Sequence, residues 1–283
     1  LHFALGSLFR RRGEVERAIR MHQNLAERED LAQEQKLQAV LELAQDYLKA
    51  GLLDRAEELF LKLDGTPHAE VAMRFLLEIY EQEKEWREAI VTAEKLEGLS
   101  GGSLQKEIAN FYCELAAREL MQSRPAAARP HLAEALDHHR LCVRANLLLG
   151  DLERDLGNRQ AAIAAWQRIE SQNPAYLSLV AERLLTAYRE EGQPDEGLNL
   201  LRVFLEKYPS LDLLDMVYQA TLAGSGPQAA YRLVRDEVRR TPTLLGLDKL
   251  LEAQLLDVPA ERRNDLELIK QLIHQHTRSL ALY

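Results

Sequence analysis

The chain has 283 residues, 46% of them hydrophobic, 29% charged and only 6% aromatic, with a formal net charge of −9. That acidity weighs against nucleic acid as the main partner, because a phosphate backbone needs a dense positive surface, and its two cysteines, Cys113 and Cys142, form no Cys-x-x-Cys motif, which leaves no zinc or redox signature and points to buried thiols in a reducing compartment. No apolar run reaches about 18 residues, the length of a membrane span, and no secretory signal opens the chain, so the expectation is a soluble, cytoplasmic piece that does not itself enter a membrane.

In chain order, the same helical hairpin recurs. Leu5, Gly6, Phe9, Gly13 and Ala18 open the pattern, and Leu43, Ala44, Tyr47, Gly51, Ala56 and Phe60 repeat it almost in full. Leu76, Tyr80, Ala89 and Leu96 follow, then Leu115, Ala116, Ala128, Leu132 and Ala135. Leu149, Gly150, Gly157, Ala162 and Pro174 restore it, Leu184, Tyr188, Gly192, Gly197 and Pro209 continue it, and Ala230 and Pro242 are its last trace. The small residue that starts each second helix stands at 18, 56, 89, 128, 162, 197 and 230, in steps of 38, 33, 39, 34, 35 and 33 residues. These straddle the tetratricopeptide period of about 34 residues, with loop insertions.

Close packing explains the pattern. Small side chains at the eighth and twentieth repeat positions let two antiparallel helices approach, while Leu, Tyr and Phe fill the space beside them. Gly13, Gly51, Gly157 and Gly192 stop the first helix, and Pro174, Pro209 and Pro242 end the second. The expected fold is therefore all-α, a right-handed superhelical solenoid of about seven repeats over residues 1–242, the first truncated because Leu1 aligns to the third consensus position. Residues 243–283 are expected to form a C-terminal helical pair, at 243–257 and 258–280. Pro259 lies in the first turn of the last helix, and Leu266, Ile269 and Ile273 form its apolar stripe.

In such a stack the first helix of each pair lines the inner groove. The groove positions include Arg10, Arg11, Gln45, Lys49, Arg74, Glu78, Asn110, Arg144, Asp151, Arg154 and Arg189, a polar set of mixed sign. Of these, Arg10, Gln45, Lys49, Arg74, Asn110, Arg144, Arg154 and Arg189 are the candidate partner-binding residues, since forked donors and amides suit the carboxylates and backbone of an extended peptide. The same residues would equally serve to keep the inner face wet. No repeat carries the Lys-and-Asn pair with which chaperone adaptors grip a C-terminal carboxylate, because the fifth positions include Leu41, Arg74 and Cys113 and the ninth Gln45, Glu78 and Ala117. The basic runs at Arg10 to Arg12, Arg239 to Arg240 and Arg262 to Arg263 read as solvated helix ends. The chain holds no Gly-rich phosphate loop, no His-Glu-x-x-His, no Gly-x-Ser-x-Gly and no ligands at metal spacing, so no catalytic or cofactor residues are assigned.

Several segments are more specific than the repeat. Residues 7 to 23 (Ser-Leu-Phe-Arg-Arg-Arg-Gly-Glu-Val-Glu-Arg-Ala-Ile-Arg-Met-His-Gln), 46 to 57 (Asp-Tyr-Leu-Lys-Ala-Gly-Leu-Leu-Asp-Arg-Ala-Glu) and 111 to 116 (Phe-Tyr-Cys-Glu-Leu-Ala) resemble the lipopolysaccharide assembly protein B, or YciM, family. The likeness runs the length of the chain, strongest before residue 120 and loosest after 210. It implies a Gram-negative inner-membrane protein whose tetratricopeptide stack faces the cytoplasm, preceded by a membrane helix and followed by a rubredoxin-like module that holds iron or zinc through two Cys-x-x-Cys pairs. The implied role is to limit lipopolysaccharide synthesis by bringing the deacetylase LpxC to the protease FtsH. The chain as given contains neither the membrane helix nor the metal module, and Cys113 and Cys142 do not replace the latter. The reading is thus a non-enzymatic adaptor; the alternative is a generic, self-associating scaffold or assembly factor with another client. An enzyme would require a deep polar pocket of convergent titratable groups.

Overall fold

The computed structural model describes residues 2–253 and 269–275, which are helices and their connections, with no strand among them. Seven hairpins follow in order: α1 (His2–Arg11) with α2 (Val15–Ala26), α3 (Gln33–Lys49) with α4 (Leu53–Leu61), α5 (Ala69–Glu83) with α6 (Trp86–Ser100), α7 (Gln105–Met121) with α8 (Pro125–His138), α9 (Val143–Asp155) with α10 (Arg159–Gln167), α12 (Leu177–Glu190) with α13 (Pro194–Lys207), and α14 (Leu211–Ser225) with α15 (Pro227–Arg240). A short helix, α11 (Ile169–Gln172), and a 3-10 turn (Pro174–Tyr176) connect α10 to α12, and α16 (Leu244–Ala253) follows the last hairpin. The chain divides into two compact units, residues 1–148 and 149–283, so the boundary falls inside α9, whereas the repeat pattern runs on to residue 242.

In the first unit the small residues of the second helices, Ala18, Ala56, Ala89 and Ala128, are completely buried. Phe60 shares a buried cluster with Ala56, Ala89, Leu76, Ile79 and Leu96, and its ring stacks on Phe75 with centroids 5.1 Å apart. Burying one such aromatic side chain contributes about 1.5–3 kcal/mol. The first repeat solves the same contact differently. A Cβ on Gly6 would lie 2.3 Å from Nε2 of His22, so the glycine makes room for an imidazole, whereas the second repeat buries Ala44 and Phe60 in one apolar cluster.

The second unit repeats the design. Ala162, Gly197 and Ala230 are buried, and a Cβ on Gly150 would meet three atoms of the Trp166 indole at 2.1 to 2.6 Å. At Gly197 the added carbon would sit 2.8 Å from Cβ of Tyr188. A close approach therefore dictates each glycine.

The turn inside each hairpin is left-handed whether or not glycine is available. Gly51 has φ +73°, yet Lys84 and Ser123 take φ 60° and 57° at the equivalent places in the third and fourth repeats. All close the same way: the amide of Leu52 bonds the carbonyl of Tyr47 at 2.9 Å, Glu85 bonds Tyr80 at 2.9 Å and Arg124 bonds Glu119 at 2.9 Å. This is the glycine-type helix stop, imposed here by hairpin packing on residues with a Cβ. Prolines also start helices: Pro125, Pro194 and Pro227 open α8, α13 and α15, where a missing amide hydrogen costs nothing. α13 and α15 end before Pro209 and Pro242 as expected, while the second helix of the fifth repeat breaks into α10 and α11 before Pro174.

Beyond the repeats, α16 buries Leu247, Leu250 and Ala253. Residues 269–275 are helical, with Ile269 and Leu272 buried and Ile273 47% exposed. The expected stripe is corrected here: the helix turns its i and i+3 positions inward, and Leu272 takes the place assigned to Ile273. Pro259, Leu266 and the remainder of the two expected helices lie outside the described residues.

Candidate partner-binding groove

A concave surface over the expected positions lies in the first unit, between the ends of α1, α3 and α5. On α3, Glu42, Gln45, Asp46 and Lys49 share one face because they stand three, four and seven residues apart. Phe75, Glu78 and Gln82 do the same on α5. With Arg10, Arg11 and Leu48 these elements line a groove of about 570 Å³.

A polar network holds one wall. Arg10 donates from Nη1 to Asp46 Oδ1 at 2.7 Å and to the Glu42 carbonyl at 3.0 Å, and from Nη2 to Glu42 Oε2 at 2.7 Å and Gln45 Oε1 at 3.0 Å. The second Asp46 oxygen accepts from Nδ1 of His22 at 2.5 Å, and both of those side chains are fully buried. Ser7 Oγ donates to Glu42 at 3.0 Å. Burial works against the charge on Arg10, but hydrogen bonds and attraction from Glu42 and Asp46 outweigh it and hold its pKa above the ordinary guanidinium value. For Glu42, burial pushes the carboxyl upward, while Arg10 and Ser7 bring it below the ordinary carboxylate range. The network therefore ties α1, α2 and α3 together and orients Gln45 at the edge of the groove.

Arg10 is thus committed to its own chain. Arg11 and Lys49 are exposed on the groove and form no ion pair among the described residues, which leaves two cations facing solvent beside the apolar surface of Leu48 and Phe75.

The other candidates stand elsewhere. Arg74 pairs with Glu70 at 2.7 Å along α5. Arg144 bonds Asn110 at 2.6 Å and Glu114 at 2.7 Å, joining the start of α9 to α7. Arg154 and Arg189 belong to the second unit, where Arg154 bonds Asp151 at 3.3 Å and Asp155 at 2.9 Å and Arg189 is exposed. Arg183, which was not a candidate, shares Asp151 at 2.9 Å.

Reading groove positions alone overlooked Asp46 and His22. The signal was present: Ala39, Leu43 and Asp46 fall at i, i+4 and i+7 on the buried stripe of α3, and an acid there needs a partner. No group of three or more His, Cys, Asp or Glu among the described residues could hold a metal ion. No helix among them is long and apolar enough to cross a membrane.

Helical hairpins keyed by small residues, with a polar groove between α1, α3 and α5 in the first unit, define a tetratricopeptide repeat protein, and the family model described as "Tetratricopeptide repeat" matches residues 113–176. The chain is 34% identical over 284 residues to lipopolysaccharide assembly protein B of Escherichia coli strain K12, a match that covers 100% of this chain and 73% of the relative. It is 32% identical over 282 residues to the protein of the same name from Haemophilus influenzae, covering 99% and 71%. The chain belongs to the lipopolysaccharide assembly protein B family. Among solved structures it is similar to a tetratricopeptide repeat protein from Parabacteroides merdae, at 17% identity, a TM-score of 0.37 and coverage of 89% and 97%.

Proposed function

We propose that this chain is the docking part of a non-enzymatic adaptor, that the first-unit groove takes an extended, acidic stretch of a client, and that the client is LpxC, presented to FtsH so that lipopolysaccharide synthesis is limited. One observation carries the groove: Arg11 and Lys49, which form no ion pair among the described residues, stand beside Leu48 and Phe75 on a wall that the Arg10–Asp46–His22 network keeps in place. Cations of this kind attract client carboxylates, Gln45 and Gln82 offer amides to a peptide backbone, and the apolar surface accepts an alternate side chain. Arg74, Asn110, Arg144 and Arg154 would have to exchange existing bonds for those of a client, so they rank behind Arg11 and Lys49. The family membership supports the choice of client.

Titration of the chain with LpxC tests both parts. Arg11→Glu combined with Lys49→Glu is expected to weaken binding by about tenfold, since each reversal removes an attraction and adds a repulsion, while Lys62→Glu at the C-terminal cap of α4 leaves it unchanged. Binding that survives the double reversal removes the groove. Failure of the unaltered chain to bind LpxC removes the client and favours a scaffold for another one.

A further inference from the structure

Cys113 and Cys142 are 29 residues apart in the chain, yet their sulfurs lie 3.8 Å from one another. Cys113 sits on α7 and is fully buried among Ala109, Ala135 and Ala145. Cys142 is half-buried and immediately precedes α9, where the backbone amides of Arg144 and Ala145 hydrogen-bond its sulfur. The two thiols therefore differ in access and in electrostatic setting. A sulfur at the start of a helix, facing amide hydrogens and a guanidinium, is stabilised as the thiolate, whereas a sulfur enclosed by alanines keeps its proton.

We propose that Cys113 and Cys142 form a reactive dithiol, a modification site at which a small-molecule disulfide of the glutathione class is reduced while the two cysteines become joined. Cys142 is the attacking group. Its thiolate displaces one sulfur of the small disulfide, forming a mixed disulfide and releasing a thiolate that takes up a proton from solvent. Cys113 then gives up its proton and attacks Sγ of Cys142, expelling the second small thiolate. Two protein thiols are oxidised to one disulfide and one small disulfide is reduced to two thiols, so atoms and electrons balance.

The acid–base asymmetry agrees with these roles. The neighbouring thiol, together with the α9 amides and the charge of Arg144, holds Cys142 below the ordinary thiol value, against the desolvation of its half-buried site. Cys113 is pushed upward by its sulfur neighbour and by burial. The site also adjoins the Asn110–Arg144–Glu114 cluster: Asn110 precedes Cys113 by three residues on α7, and Arg144 follows Cys142 by two. Joining the sulfurs draws the start of α9 toward α7 at that cluster.

The test is incubation of the chain with oxidised glutathione, acid quenching, non-reducing digestion and mass spectrometry. The expected product is a peptide pair linked through Cys113 and Cys142 within one chain and released by dithiothreitol. Cys113→Ser is expected to stop at a glutathione adduct on Cys142, and Cys142→Ser to leave Cys113 unmodified. In the unaltered chain, iodoacetamide at neutral pH is expected to label Cys142 at least about tenfold faster than Cys113. Separate adducts on both cysteines, a link between chains or no reaction at all overturns the proposal. So does attack at Cys113 that proceeds equally fast without Cys142. The product from the unaltered chain is decisive even where a variant folds poorly.

Discussion

Replacing Gly150 with alanine sets two opposing effects against each other. In the interior of a helix, alanine is favoured over glycine by about 1 kcal/mol, because it has less backbone freedom to lose. The added Cβ would lie 2.1, 2.4 and 2.6 Å from Nε1, Cδ1 and Cε2 of Trp166, all more than half an ångström inside ordinary contact. Trp166 is completely buried, so its indole has no empty space to enter, and α9 must move away from α10. Overpacking of this kind costs typically about 1–3 kcal/mol. With three overlapping atoms the upper part of that range applies, and the net expectation is a loss of about 1–2 kcal/mol. Gly98 supplies the control: it lies in α6, and an added Cβ meets nothing within 4 Å, so Gly98→Ala is expected to stabilise by about 0.5–1 kcal/mol. Urea unfolding followed by circular dichroism measures both, and a double-mutant cycle with Trp166→Leu isolates the contact. In the Trp166→Leu background the Gly150 substitution should lose its cost. If Gly150→Ala stabilises the chain as Gly98→Ala does, or costs the same with and without the indole, the helix contact assigned to the eighth repeat position is wrong.

Other positions give independent expectations. Asp46→Ala removes the shared partner of Arg10 and His22 and is expected to cost about 3 kcal/mol, the usual result of breaking a buried ionic network; an unchanged unfolding midpoint would show that the network adds no stability. Glu42 has a folded-state pKa below its ordinary 4.5, so its stabilising contribution is present above that value and declines as the pH falls through the lower folded pKa. The melting temperature should drop in that acid range, and Glu42→Gln should flatten this part of the profile. Lys84→Gly and Ser123→Gly relieve left-handed conformations and should each raise stability by about 0.5–1 kcal/mol, whereas Gly51→Ala, at φ +73° with open space around it, should lower stability by a similar amount. Equal effects at all three sites in thermal melts would refute the conformational argument.

The order of helices was legible in the sequence because the repeat is a local device. A small residue is needed wherever two helix backbones nearly touch, and the chain supplies one at 18, 56, 89, 128, 162, 197 and 230, all of them buried. Gly13 and Gly51 marked helix stops for the same local reason, while Lys84 and Ser123 gave no such mark, since there the hairpin imposes the left-handed turn on residues that would not choose it. The function-bearing side chains were only half legible. Repeat phase places Arg10, Gln45 and Lys49 on one face, but charge on a helix surface does not reveal its partner. The partner of Arg10 is Asp46, 36 residues away, and that of Cys113 is Cys142, 29 away. Tertiary structure alone decided which cation is held inside the protein, which face solvent, and which thiols touch. Ion pairing and sulfur chemistry depend on a few ångströms between residues distant in the chain, whereas helix periodicity is written within a single turn.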